Sequence, residues 1–273
     1  MRLSDALEVV VRTDPGLVRS HNEDAVFADP ALGLAILADG MGGYNAGEVA
    51  SGMATSMLAR SLSSFLAAMT GRNTASMNAD LMAHHLLEEI SAVNAAVFHA
   101  AESQPRYAGM GTTLVVACYY DNCLSVAHLG DSRLYRLRGG QFEQLTRDHS
   151  LLQEQLDSGM ISAEEARYSS NRNLVTRALG VDPYVETEIH DHEVVPGDIY
   201  LFCSDGLTDM VDDGEIALTL ETLSENLPLA ADQLVHMAND NGGRDNISVI
   251  LVKVRGEYAV PRGWWQKLLA RLK

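Results

Sequence analysis

Two apolar runs joined by only two residues most restrict how this chain can fold. They are TTLVVACYY (Thr112–Tyr120) and CLSVAHLG (Cys123–Gly130), separated by Asp121-Asn122. Aspartate and asparagine tolerate positive φ, so the pair predicts a tight hairpin and hence antiparallel strands. SRLYRLRGGQFEQLT (Ser132–Thr146) repeats the pattern and turns at Gly139-Gly140. LGLAILAD (Leu32–Asp39) is apolar almost without a break, as a strand covered on both faces would be. Glu48–Met69 and Met77–Ala101 can supply such a cover, because their Leu, Met, Val and Phe residues recur at helical spacing. Further strands are expected at Glu8–Asp14, Ala25–Asp29, Val185–Val195, Asp198–Gly206 and Asn246–Val254, with one or two helices over Asp212–Gly242. The order points to an α+β fold with helices packed on the outer faces of antiparallel sheets.

Composition narrows the function. The net charge of −17, from 20 Lys+Arg against 37 Asp+Glu, argues against nucleic acid as a partner, since phosphates need cationic side chains. The same excess of acids suits the gathering of cations. Cys118, Cys123 and Cys203 lie in apolar surroundings, have no zinc-like spacing and are expected to be reduced, buried thiols. No run is long enough to span a bilayer, and the N-terminal MRLSDALEVVVRTDPG lacks the apolar stretch of a signal peptide. A cytoplasmic protein is expected.

An aspartate recurs where buried strands end: Asp39 in LADG, Asp131 in LGDSR and Asp205 in CSDG. Asp245 in GGRDN, and Glu23-Asp24 in SHNEDAVF, stand just before strands. A single one would be read as a turn residue, because aspartate bonds nearby backbone amides. Together, in glycine-rich settings, they form a set of carboxylates whose crowding is costly unless cations offset it. Oxygen ligands without a Cys or His pattern suit hard divalent ions, Mg²⁺ or Mn²⁺. Gly40, Gly42 and Gly43 after Asp39 also raise a nucleotide-binding reading. The G-x-G-x-x-G spacing fails, however, because its last glycine would fall at Asn45.

The ordered set VRSHNEDAVF, LADGMGGYNAGEVAS, GMGTTLVVA, AHLGDSRLYRL, LTRDHS, FCSDGLTDMV and GGRDNISVILV resembles the motifs of the protein phosphatase 2C family, in its compact bacterial form. The resemblance runs from about Val9 to Val254. It implies a four-layer α-β-β-α sandwich, two antiparallel sheets flanked by helices. It also implies metal-dependent hydrolysis of phosphoserine and phosphothreonine in proteins, usually opposing a Ser/Thr kinase. Asp39 would bridge two metal ions, with Gly40 (through its carbonyl), Asp205 and Asp245 on the first and Glu23 and Asp24 around the second. Asp131 resembles the ligand of a third ion, and Arg19 matches the arginine that grips the substrate phosphate.

The chain departs from the family at Met41 and Tyr44, where relatives often carry histidines. On these grounds residues 1–256 form the catalytic domain, with a flap at Ser150–Gly180 in which Arg167, Arg172 and Arg177 could meet phosphopeptides. Residues 257–273 form a basic tail with Trp264 and Trp265. Packing of the tail on the protein's own acidic body is the preferred expectation over contact with a membrane or a partner. A monomer is expected.

Overall fold

Residues 1–43, 46–71, 77–166 and 174–259 are described in the computed structural model. A short helix α1 (Leu3–Ala6) leads into β1 (Leu7–Asp14), β2 (Asp24–Asp29) and β3 (Leu34–Met41). Two long helices, α2 (Ala46–Gly71) and α3 (Ala79–Ser103), follow. Then come β4 (Gly111–Thr112), β5 (Leu114–Tyr120), β6 (Cys123–Leu129), β7 (Arg133–Arg138) and β8 (Gln141–Gln144). After helices α4 (Leu151–Asp157) and α5 (Ala163–Ala166), the chain returns to strand in β9 (Glu188–Glu193) and β10 (Ile199–Cys203). Helices α6 (Asp205–Thr208), α7 (Asp213–Thr222) and α8 (Leu227–Asp240) precede the last strand, β11 (Ile247–Val254).

The strands form two sheets, ordered β1-β11-β10-β7-β8 and β2-β3-β5-β6-β9, with β4 attached to β3. Every strand pairing is antiparallel. The alternation of side chains explains the unbroken apolar run at Leu32–Asp39. Leu34 and Ile36 pack with Leu58, Leu62, Leu86 and Ile90 of α2 and α3, while Ala35 and Leu37 face Phe202, Ile250 and Val252 of the other sheet. On the far side, Leu201, Val249 and Leu251 pack against Leu220, Ala231 and Leu234 of α7 and α8. The expected four layers are therefore present, each sheet apolar on both faces.

Both expected hairpins are in place. Asp121 and Asn122 have φ of 46° and 57°, and Gly139 and Gly140 have φ of 56° and 80°, matching the right-handed twist of the strands they join. Two details differ from the sequence expectation. The run Thr112–Tyr120 is divided at Thr113 into β4 and β5, although both pieces keep one register on β3 and the Thr113 N–H donates to the carbonyl of Asp39 (2.8 Å), the residue opposite it in that register. Cys123 is partly exposed, unlike the buried Cys118 and Cys203; all three are free thiols. Between β6 and β7 the chain changes sheets, and the change falls on Gly130-Asp131-Ser132.

The flap leaves the body at Ser150, whose side chain caps α4 by accepting from the Gln153 N–H (3.2 Å). It returns through bridges at Ser150–Val175 and Thr112–Leu179. Beyond β11, Tyr258 is buried and donates its N–H to Asn122 Oδ1 (2.7 Å). Tyr44, Arg167, Arg172, Trp264 and Trp265 lie outside the described residues.

Candidate metal centre

The β2–β3 register places Asp24 directly opposite Asp39. Opposed residues on antiparallel strands have Cβ atoms about 5 Å apart, so two carboxylates share one small space. The paired Arg133 and Cys203 of β7 and β10 do the same for the other sheet: Asp131 and Asp205 lie two residues beyond them, and Asp131 is the foremost neighbouring charge acting on Asp205. Both pairs fall at the same rim of the sandwich. Asp24, Asp131, Asp205 and Asp245 all act electrostatically on Asp39.

Burial is the main influence on four of these acids. It pushes Asp24 up to about 6, against a hydrogen bond from Ser204 Oγ (2.8 Å) that favours its charge. It pushes Asp131 up to about 6, aided by the charge of Asp148. Asp39 and Asp205 are held well above the usual carboxylate range by burial first, then by the neighbouring carboxylates Asp24 and Asp131 respectively. Like charges this crowded need cations between them.

Two observations test whether divalent ions fit. Asp24 Oδ1 and Asp205 Oδ1 are buried with no hydrogen-bond partner, although buried carboxylate oxygens are normally satisfied. The backbone beside them is also cleared of side chains. A Cβ on Gly40 would lie 2.2 Å from the Gly47 carbonyl oxygen and 2.6 Å from that of Glu23, and a Cβ on Gly47 would lie 2.9 Å from Glu23 Cδ. An all-oxygen donor set with unpaired carboxylate atoms suits Mg²⁺ or Mn²⁺.

The remaining expected residues reach the same rim. Glu23 follows the loop after β1, and its carbonyl accepts from the Gly40 N–H (3.1 Å). His21 Nε2 stands 3.2 Å from Glu23 Oε1. Arg19 donates Nη2 to Asp245 Oδ2 (2.5 Å), with the guanidinium half exposed. Met41 ends β3, paired with Gly111. Arg177 meets Glu188 (3.3 Å), an intramolecular partner rather than one from a substrate.

Sequence reasoning gives Ser132 and Arg133 the turn after Asp131, but it overlooked the other residues that hold this rim in shape. Asn246 is the main one. Its Oδ1 accepts from the Glu23 N–H (2.8 Å), and its Nδ2 donates to the carbonyls of Pro15 (2.9 Å) and His21 (3.0 Å). Thr113 Oγ1 accepts from the Asp39 N–H (3.0 Å) and meets Ser132 Oγ (2.8 Å), linking the two sheets beside Asp131. Arg133 grips Asp148 with both Nε (2.9 Å) and Nη2 (2.7 Å), bracing the turn after Asp131. All of these lie inside the quoted motifs, but nothing in their spacing separates them from ordinary turn residues. A cleft of about 870 Å³ runs from Asp131 and Asp205 to Asp209, and its outer wall includes Leu152 and Leu156 of the flap.

The comparisons with known proteins agree with this architecture. The sequence profile described as Protein phosphatase 2C matches residues 18–248. The serine/threonine phosphatase stp of Listeria welshimeri is 40% identical over 245 residues, covering 89% of this chain and 94% of that protein. The crystal structure of the Mycobacterium tuberculosis serine/threonine phosphatase PstP/Ppp superposes with a TM-score of 0.81 at 38% identity, covering 92% of this chain and 99% of that one. A structure of the PstP catalytic domain in complex with two manganese ions superposes at 0.77, also at 38% identity, covering 92% and 99%. With its profile matched over most of its length and its rim of carboxylates assembled from both sheets, the chain belongs to the protein phosphatase 2C family.

Proposed function

We propose that this chain is a metal-dependent protein serine/threonine phosphatase whose rim carboxylates hold two divalent ions, Mg²⁺ or Mn²⁺. The carrying observation is the meeting of Asp24, Asp39, Asp131, Asp205 and Asp245 at one rim, with buried oxygens of Asp24 and Asp205 left without a protein donor. Asp39 is assigned as the shared ligand. The Gly40 carbonyl, Asp205 and Asp245 are assigned to one ion, and Glu23 and Asp24 to the other. Asp131, whose charge acts on Asp205, is assigned to a third ion.

When bound, the ions supply Lewis acidity that lowers the pKa of a water and draws charge from phosphoryl oxygens. The chain's own residues do the rest. Arg19, held at one edge by Asp245, turns its other N–H groups to the phosphate, where a planar fork suits a pair of oxygens. Asn246 and Thr113 fix the backbone of Glu23 and Asp39, so the ligand carboxylates are in place before substrate arrives. The cleft beside Asp131 admits the peptide around the phosphorylated residue. Burial pushes the Cys118 and Cys203 thiols up to about 12, which removes them as nucleophiles and favours direct attack by water.

The substrates are phosphorylated proteins, including a Ser/Thr kinase and that kinase's targets. No helix among the described residues is long and apolar enough to cross a membrane. A cytoplasmic monomer is the assigned form, supported by three free thiols and by the charged edge strand β9.

The test is hydrolysis of p-nitrophenyl phosphate and of phosphothreonine peptides with Mn²⁺, with Mg²⁺, and after chelation. Turnover is expected only with metal, and Asp39→Asn should lower it by at least about a hundredfold, as loss of a key electrostatic group does. Asp131→Asn should keep the central ions, seen by calorimetry, yet lower turnover. Folded, Mn²⁺-loaded protein without turnover on either substrate would overturn the reading.

A further inference from the structure

Three of the chain's nine histidines lie in one place that the carboxylate centre does not use: His128, His149 and His190, together with Glu188. The register of β6 and β9 sets His128 opposite Glu188, and the alternation of β9 brings His190 to the same face. His149 arrives from the segment after β8, its backbone fixed by hydrogen bonds to Gly130 (2.9 Å) and Thr176 (2.8 Å). His128, His149 and Glu188 each offer a ligand atom, and the three atoms lie within 4.8 Å of one another.

Two ring nitrogens there are buried without a hydrogen-bond partner. His128 is 1% exposed; its Nε2 lies 2.8 Å from the Arg147 carbonyl and 3.3 Å from the Arg147 N, the shorter contact favouring the proton on that nitrogen, and its Nδ1 has no partner. His149 is 6% exposed, and its Nε2 lies 3.1 Å from Glu188 Oε1 but lacks the alignment of a hydrogen bond. Buried polar atoms without partners point to an absent ligand. The carbonyl behind His128 is the kind of outer contact that orients ligating imidazoles elsewhere.

We propose that His128 Nδ1, His149 Nε2 and Glu188, with His190 at the rim, bind one borderline divalent cation of the Zn²⁺ class. Imidazole and carboxylate donors suit such an ion, whereas the all-oxygen centre suits Mg²⁺ and Mn²⁺. Burial lowers the pKa of both His128 and His149, so both rings are neutral, as ligands must be. The groups facing the cluster are Arg177, 3.3 Å from Glu188 Oε1, and His190, 3.6 Å from Glu188 Oε2.

The ion cannot enter without movement. The His128 and His149 rings stack with centroids 4.7 Å apart and planes 14° from parallel, so their lone pairs do not converge. Tetrahedral ligands at zinc distances stand roughly 3.4 Å apart. The His149 ring must turn out of the stack, giving up the long contact from the Gly130 N–H to its Nδ1 (3.2 Å). Glu188 must swing away from Arg177, which its partly exposed side chain permits. Since His149 precedes Ser150, an ion here ties the sheet edge to the root of the flap.

The test uses the full chain with saturating Mg²⁺ to occupy the carboxylate centre, followed by Zn²⁺ titration in a calorimeter. One further equivalent of Zn²⁺ is expected, with affinity at least about tenfold weaker in Glu188→Gln and in His149→Gln. In the same titration the ring ¹⁵N resonance of His128 Nδ1 should shift in the unaltered protein. Glu188→Gln is nearly isosteric and partly exposed, and its Mg²⁺-supported turnover should be unchanged, which verifies folding. No extra equivalent, or equal Zn²⁺ binding in the variants, overturns the proposal and leaves the phosphatase reading untouched.

Discussion

Asp24 faces Asp39 across two paired strands, and burial disfavours the charge on both. The sign of the pH effect follows. A carboxyl raised to about 6 in the fold takes up a proton before its unfolded counterpart does, so acid relieves the native state while neutral pH strains it. Cations relieve the same repulsion and compete with protons for the same oxygens. The melting temperature gained on adding Mn²⁺ to chelated protein should therefore be several degrees at about pH 7.5 and should shrink towards about pH 5. Scanning calorimetry at a series of pH values checks this, and a constant gain across the range would count against the crowded-carboxylate account. The acids themselves could be read from the sequence because each stands beside a strongly apolar run. Asn246 and Thr113 could not. A short polar side chain at a turn looks alike whether it bonds its own backbone or pins a loop many residues away, and Asn246 pins Pro15, His21 and Glu23.

The entry of α2 shows how an element serves the site. Gly47 in its first turn lies so close to Gly40 that a Cβ would stand 2.7 Å from the Gly40 carbonyl carbon. At Gly52, one and a half turns on, a Cβ would meet nothing within 4 Å. Gly52→Ala should then stabilise the protein by up to about 1 kcal/mol through helix propensity alone. Gly47→Ala should lose that gain to overpacking of about 1–3 kcal/mol and shift the Gly40 carbonyl. Thermal melts of the two variants, with Mn²⁺ titrations, separate the effects: Gly47→Ala alone should weaken metal binding. The hairpins at Asp121-Asn122 and Gly139-Gly140 were legible because turn chemistry is local. The change of sheet at Gly130-Asp131-Ser132 was not, since the sheet a strand joins depends on distant partners.

Across the whole molecule, the two sheets meet through an apolar layer that includes Leu37, Val115, Tyr200, Phe202 and Ile250. The acids proposed as ligands are divided between them: Glu23, Asp24 and Asp39 belong to one sheet's side, and Asp131, Asp205 and Asp245 to the other's. At the opposite end, the turn at Asn122 is fastened by protein groups, the Tyr258 and Val194 N–H groups. Amide exchange should register that division. Chelation should speed exchange at Gly40 and Thr113, which bond across the rim, and leave Val194 and Tyr258 as slow as before. Uniform acceleration would contradict it.

A molecule fastened by different means at its two ends can be opened at one of them. Scarcity of divalent ions would then expose the loops before β2 and β11, together with the flap root, to cleavage while the rest of the sandwich stays closed. Proteases acting on such a partly opened form respond to its population, not to global unfolding. Metal supply would in that way govern how long the chain persists as well as how fast it turns over.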